Sequence, residues 1–136
     1  MLPEQETATA TPVIVPTFDV TGTTAIHLSS FTAIPHSMGS ELRWETLAEG
    51  GTSGYEIWRA PEQIRSSAVR ISEQIITSSG SPSTGAAYTY IDINVEPGMT
   101  YTYWLVEVVR SGATHDAGFT TGWAATQWLD LPIIMQ

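Results

Sequence analysis

Short segments in which apolar and polar residues alternate make up the middle of this chain. Residues 40–47, for example, place Leu42 and Trp44 on one face and Arg43 and Glu45 on the other. Alternation with a period of two predicts β-strands that bury one face. The strand-length segments are residues 24–34, 40–47, 54–59, 69–77, 87–95, 100–110 and 113–121. Clusters of Gly, Pro and Ser separate them, so the pattern predicts an all-β antiparallel sandwich.

The alternation also groups the side chains that share one face of each strand. In the first strand it sets Ile26, Leu28 and Ser30 against His27, Ser29 and Phe31. The predicted core residues are Trp44, Tyr55, Ile57, Tyr101 and Leu105. The connection at residues 61–68 could form one helical turn, and residues 78–85 form a Ser- and Gly-rich loop.

Apolar segments flank this body on both sides. Residues 1–12 are polar and indicate a flexible leader, whereas residues 13–20, VIVPTFDV, are β-branched and apolar. Pro16 lacks a backbone donor, which favours an edge or added strand. We therefore divide the chain into an extended segment at 1–23, a candidate donor strand or linker, a sandwich at 24–121 and an apolar strand or tail at 122–136. The predicted subunit-interface residues are Val13, Ile14, Val15, Phe18, Val20, Trp128, Leu129, Leu131, Ile133 and Ile134.

The composition excludes several functions. No Cys is present, which excludes disulfides and thiolate chemistry, and the apolar fraction of 42% is enough for a core. Fourteen acidic residues face five Arg and no Lys, and a net charge of −9 disfavours nucleic acid and anionic membranes. The first residues, MLPE, show no secretory signal, and no apolar run could span a membrane. We expect a mature extracellular or cell-surface chain.

Candidate chemistry is sparse along the chain. His27, His36 and His115 lie in separate segments without metal-ligand spacing, so surface histidines are the expectation. Asp92, Asn94 and Glu96 would line one side of a strand end, where calcium is an alternative to a polar turn. The Ser-rich loop lacks a nucleophile motif. We expect no catalytic residues, no metal site and no cofactor.

The run RWETLAEGGTSGYEIWRA, followed by IITSSGS, YTYID and PGMTYTYWLVEV, resembles the fibronectin type III-like module of bacterial surface and secreted proteins. This resemblance covers roughly residues 24–121 and implies an immunoglobulin-like β-sandwich without a common catalytic set. It implies that Trp44 is the core tryptophan of the second strand. It also implies that Tyr101 is a tyrosine-corner residue whose hydroxyl bonds to nearby backbone.

Three functions remain open. The first is a structural subunit of an extracellular fibre or surface assembly, joined to copies of itself by terminal-strand addition. The second is a carbohydrate- or cell-wall-binding module that uses exposed Trp and Tyr, with Trp58, Trp104, Trp123 and Trp128 as candidates. The third is a spacer domain of a larger secreted protein.

Overall fold

A computed structural model describes residues 26–124 of the chain. The body consists of strands that form two sheets, with one short 3₁₀ helix at Arg65–Ser67. The strands are β1 Ile26–His36, β2 Gly39–Glu49, β3 Thr52–Ala60, β4 Val69–Arg70, β5 Ile76–Thr77, β6 Ala87–Asp92, β7 Thr100–Val109 and β8 Thr114–Trp123. All ten predicted subunit-interface residues lie outside the described range, and they stay predictions.

The two sheets form an antiparallel β-sandwich, which confirms the predicted fold class. One sheet has the order β1-β2-β6, and the other has the order β4-β3-β7-β8 with β5 also paired to β3. Ile26 of β1 pairs with Glu49 of β2 at one end of the body, which we call the Glu49 end. Ser40 opposes Asp92 at the other end, the Asp92 end. Each of the long strands runs from one of these ends to the other.

Two β-bulges change the inward face that simple alternation predicts. The β1–β2 register shifts on both sides of Leu28, which leaves Ser29 and Leu47 as extra residues. Beyond the bulge in β1, Phe31 faces the core instead of Ser30, so the alternation predicted for this strand is wrong from Ser30 onward. In β2 the extra residue is Leu47, which faces outward like Arg43 and Glu45 and is 65% exposed. This bulge turns Glu49 inward, because a one-residue slip moves every following side chain to the opposite face.

The core lies between the sheets and is built around Trp44. Its ring stacks on Tyr88 at 5.1 Å and meets Phe31 and Tyr55 edge-on. The predicted core residues Trp44, Tyr55, Ile57 and Leu105 are fully buried, and Tyr101 is 7% exposed. Dense aromatic packing of this kind is a large stabilising term in a small domain.

One side of the sandwich, between β1 and β8, is closed by small residues. A Cβ at Gly122 would lie 2.4 Å from the Cβ of Ala33, and a Cβ at Gly118 would lie 2.9 Å from Leu28 Cδ2. The two edge strands therefore approach too closely to admit another chain between them. The opposite side, between β6 and the segment from β4 to β5, is open. No helix in residues 26–124 is long and apolar enough to cross a membrane.

Candidate functional site

The open side contains a groove of about 450 Å³, which we call the edge groove. One wall is the end of β6 and the residues after it, and the other is the segment between β4 and β5. The lining residues are Ile71, Glu73, Gln74, Ile75, Ile76, Tyr90, Ile91, Ile93 and Asn94. Ile75 and Ile93 are 44% and 57% exposed, so apolar surface is presented to solvent on both walls.

The wall opposite β6 is fixed to β3. The backbone N–H of Ile71 donates to the carbonyl of Ile57 at 2.8 Å, and Ser72 Oγ accepts from the N–H of Ile57 at 2.9 Å. Across the groove, the hydroxyl of Tyr90 donates to the carbonyl of Ile71 at 3.1 Å. This bond spans the gap between the sheets and forms the floor of the groove.

The edge of β6 beside the groove is unpaired within residues 26–124, because β6 pairs only with β2. Its six residues keep a continuous register. The other long edge strands are interrupted by shifts in register, near Leu28 in β1 and opposite Leu105 in β8. Bulges of this kind protect edges from pairing with other chains. Among the edges of β1, β6 and β8 in residues 26–124, the edge strand β6 has the uninterrupted register.

A buried ion pair fixes the end of β6 at the groove. Arg59 Nη1 lies 2.9 and 2.7 Å from the two carboxylate oxygens of Asp92, which is 3% exposed. The hydroxyl of Tyr103 donates to Asp92 Oδ2 at 2.9 Å, and Arg59 also reaches the carbonyl of Asn94. The guanidinium lies 5.1 Å from the ring of Tyr101. The ion pair joins β3, β6 and β7 across the core, and burial raises the pKa of the Tyr103 hydroxyl.

Tyr101 itself forms the predicted tyrosine corner. Its hydroxyl accepts a hydrogen bond from the backbone N–H of Glu96 at 2.9 Å. That bond holds the turn that follows the groove residues Ile93 and Asn94, so the contact is structural.

A second buried carboxylate, Glu49, lies at the other end of the sandwich from Asp92. It is 2% exposed. Its carboxylate accepts hydrogen bonds from side chains on the β-strands and from the loop that crosses from β5 to β6. The donors are Thr46 Oγ1 at 2.6 Å, the Tyr55 hydroxyl at 2.8 Å, Ser78 Oγ at 2.5 Å, the Gly80 N–H at 2.8 Å and the Tyr88 hydroxyl at 2.7 Å. The crossing loop is thereby held against the Glu49 end of the sandwich.

These hydrogen bonds determine the charge state of Glu49. Burial by itself would raise the pKa, but the bonds from Ser78, Thr46, Tyr88 and Tyr55 outweigh it and lower the pKa of Glu49 to about 2. Burial and the bond to Glu49 raise the pKa of Tyr55. The carboxylate stays ionised and the phenol stays protonated at neutral pH, as a structural anchor requires.

Two of the tryptophans considered for carbohydrate binding, Trp58 and Trp104, lie on neighbouring strands of the sheet that contains β3 and β7. Trp104 is only 6% exposed, because the Arg65 guanidinium lies over the rings of Trp58 and Trp104, at 4.8 and 5.8 Å. Arg65 is held there by Asp116 at 2.8 Å. Trp104 is therefore not the exposed ring that a sugar platform needs, and this part of the prediction is wrong.

Other aromatic rings remain outside the core. Phe119 and Trp123 are 54% and 44% exposed. Tyr55, Tyr101 and Tyr103 are buried, so none of these three tyrosines contributes to an exposed platform. Trp128 lies outside the described residues.

The polar candidates from the sequence do not form a common site. His27 and His36 lie at opposite ends of β1, and His115 lies on β8. β6 ends at Asp92, so Asn94 and Glu96 do not continue its face as predicted. Among residues 26–124, no three His, Asp or Glu side chains are grouped as metal ligands would be.

Sequence reasoning missed Arg59, Glu49 and the edge groove. Arg59 lies two residues after Ile57 and four after Tyr55 on the same strand, so alternation alone could have placed its side chain on their inward face. Its partner Asp92 likewise shares parity with Tyr88 and Tyr90. No such signal exists for Glu49, because the bulge at Leu47 is what turns it inward.

The fold is similar to that of known structures. A Fn3-like protein from Clostridium thermocellum aligns with a TM-score of 0.50 and 19% identity, over 83% of this chain and 100% of that one. Two crystal structures of pectate lyase Pel3 from Pectobacterium carotovorum align with TM-scores of 0.54 and 0.53, each at 16% identity over 67% of this chain. The chain spans about a quarter of the length of each lyase chain, at 26% and 25%. No protein-family model matches the sequence, and no curated protein is similar to it in sequence. The fold of residues 26–124 is therefore a fibronectin type III-like β-sandwich.

Proposed function

We propose that this chain is a non-enzymatic structural subunit of an extracellular fibre or surface assembly, in which a terminal strand of one copy is added to the sheet of the next. The observation that carries the proposal is the placement of the two chain ends. The chain enters the body at Ile26, opposite Glu49, and leaves it after Trp123, opposite Thr100. The apolar flanks are therefore attached at opposite ends of the sandwich.

This arrangement supports head-to-tail association. A contact between two different surfaces of the same molecule repeats into an open chain of subunits unless it closes into a ring. Extended backbone spans about 3.3 Å per residue, so residues 1–20 could reach on the order of 60–70 Å. That length exceeds the body of one small domain. Five apolar side chains buried by a neighbour would contribute on the order of 7–15 kcal/mol before ordering costs.

The absence of a catalytic role is part of the same proposal. The two buried carboxylates, Glu49 and Asp92, are each engaged by several donors from the fold itself. Their hydrogen bonds fix the positions of loops and strands, so we assign both carboxylates a structural role. Within residues 26–124, the exposed side chains of Ile75 and Ile93 lie beside the free edge of β6, and exposed apolar side chains favour protein contacts.

The test is the size of the full chain in solution. We expect light scattering to show a mass that rises with concentration, and negative-stain electron microscopy to show fibres or extended oligomers. Removing residues 1–20 should return the protein to monomers. A full chain that stays monomeric at high concentration would contradict the proposal, as would fibres that persist unchanged after the deletion.

A second candidate is a spacer domain within a larger secreted protein. The pectate lyase structures favour it, because a region of the same fold makes up about a quarter of each lyase chain. A monomeric full chain whose two flanks are rapidly cut by protease, while the body resists, would support this candidate.

A further inference from the structure

We infer that the edge groove is the receiving site for strand addition, and that residues 13–20 of a second copy occupy it, added to the free edge of β6. This inference rests on the proposed function and specifies its contact. Three independent features of the molecule support it: the shape of the open side, the position of the chain ends, and the side-chain order of residues 13–20.

The open side accepts a strand where the other side cannot. At the β1–β8 side, Ala33 leaves no room even for a methyl group at Gly122, where a Cβ would lie 2.4 Å from the Cβ of Ala33. At the β6 side, the sheets are separated by the edge groove, with Ile75 and Ile93 exposed on its walls. An added strand there would gain backbone hydrogen bonds from β6 and would cover both isoleucines.

The position of the chain ends favours a second copy over the same chain. The β6 wall of the groove, from Tyr90 to Asn94, lies at the Asp92 end, whereas the chain enters the body at Ile26 at the Glu49 end. Between them, the loop at residues 78–86 crosses from one sheet to the other and is bonded to Glu49 and Thr46. A segment from the same chain would have to pass around this loop. In a head-to-tail stack, the neighbour's N-terminal segment starts beside the open end of the groove.

The order of side chains in residues 13–20 fits a strand with one covered face. In an extended strand the even positions share one face, and these are Ile14, Pro16, Phe18 and Val20. All four are apolar, whereas the odd face includes Thr17 and Asp19. Pro16 has no backbone N–H, which is tolerated when that position points away from the ladder. We therefore place the even face against the groove.

The experiment uses full-length chains with single-site blocks. Ile93→Asp and Ile75→Asp block the receiving groove, and the double change Ile14→Asp with Phe18→Asp blocks the donor. A buried unpaired carboxylate is strongly disfavoured, so each block should weaken self-association by at least about 100-fold. The matched controls are Ile64→Asp, an exposed isoleucine away from the groove, and Thr9→Asp with Thr11→Asp, which adds the same two charges in the polar leader outside residues 13–20. Ile64 is 51% exposed, close to the exposures of Ile75 and Ile93.

Mixing the blocked chains provides the sharpest readout. Each blocked chain alone should be monomeric in light scattering. In a mixture, the Ile93→Asp chain still has an intact donor segment, and the chain with Ile14→Asp and Phe18→Asp still has an intact groove. The mixture should therefore form dimers that do not extend. Circular dichroism and urea midpoints close to those of the unmodified chain would show that the variants are folded.

Several outcomes would overturn the inference. If donor variants abolish assembly while Ile93→Asp and Ile75→Asp leave it unchanged, the receiving site is elsewhere, and the proposed function survives without this contact. If Ile64→Asp weakens assembly equally, added charge alone explains the effect. If the unmodified chain is monomeric and Ile14→Asp with Phe18→Asp lowers its stability, the segment occupies its own groove, and both proposals fail.

Discussion

Glu49 shows how one side chain can organise a connection between two sheets. Its carboxylate joins Thr46, Tyr55 and Tyr88 on three strands to Ser78 and Gly80 in the crossing loop. Hydrogen bonds to a charged acceptor contribute more than neutral ones, about 1.5–3 kcal/mol each. The cost of burying the charge offsets part of this gain. The net effect is a single fixed position for the loop.

Glu49→Gln should lower the free energy of unfolding by about 2–4 kcal/mol, because the amide presents two donors to a site built from donors. The measurement is urea denaturation at pH 7. Glu45→Gln is the matched control, since Glu45 is exposed on the same strand and its loss should change stability by no more than about 0.5 kcal/mol. Equal stability of the two variants would contradict the structural role.

The same site predicts a dependence on pH. The pKa of Glu49 is lowered from 4.5 to about 2, so its stabilisation is fully present above the unfolded value and is lost as pH falls from about 5 toward 2. The contribution is on the order of 3 kcal/mol. The stability difference between the unmodified chain and Glu49→Gln should therefore be largest above pH 5.5 and shrink toward pH 2. A difference that is constant over this range would show that ionisation is irrelevant.

At the scale of elements, the buried pair of Arg59 and Asp92 connects β3 with β6, and Tyr103 adds β7. The contact joins the two sheets at the end of the edge groove. Sheets in a sandwich have no backbone hydrogen bonds between them, so their relative position depends on packing and on contacts of this kind. Breaking the pair should loosen the end of β6 first.

Arg59→Ala should destabilise the fold by about 3–5 kcal/mol, because it leaves the buried Asp92 carboxylate without its cation. Arg43→Ala is the matched control: Arg43 pairs with Glu41 at 2.9 Å but is 57% exposed. Exposed pairs contribute about 0–1 kcal/mol. The two unfolding free energies measured side by side check the prediction. Similar losses would mean that the burial of the Arg59 pair has no energetic consequence.

At the scale of the whole molecule, the body at residues 26–124 contains its own core. The fully buried side chains Trp44, Tyr55, Tyr103, Leu42, Ile57 and Leu105 all belong to it. The contacts described above require no residue from either flank. The predicted domain boundaries at residues 23 and 121 therefore imply that the body folds without its flanks. The last strand, β8, extends to Trp123.

A fragment of residues 24–124 should fold cooperatively, with a urea midpoint within about 0.5 M of the full chain under conditions where the full chain is monomeric. The core described above is built from residues 26–124, so we expect removal of the flanks to matter little. A fragment of residues 24–113 is the control: it lacks β8, exposes the edge of β7 that β8 pairs with, and should not fold. Loss of structure in the longer fragment would show that the flanks complete the sheets of their own chain.

The sequence alone determined the class of fold and most of the core. Alternation fixes which side chains of a strand share a face, so Trp44, Tyr55 and Ile57 could be placed inside without knowing which strands pair. The resemblance to fibronectin type III-like modules implied the tyrosine corner at Tyr101, and this contact to Glu96 is local in sequence.

Only the tertiary structure decided the rest. The bulges at Ser29 and Leu47 depend on how β1 and β2 pair, and they turn Phe31 and Glu49 inward against the simple pattern. The cover of Arg65 over Trp104 and the pairing of Arg59 with Asp92 bring together residues that are distant in sequence. The open side beside β6 arises from the spacing of two sheets. Local patterns cannot encode such features, because each depends on the relative position of separate strands.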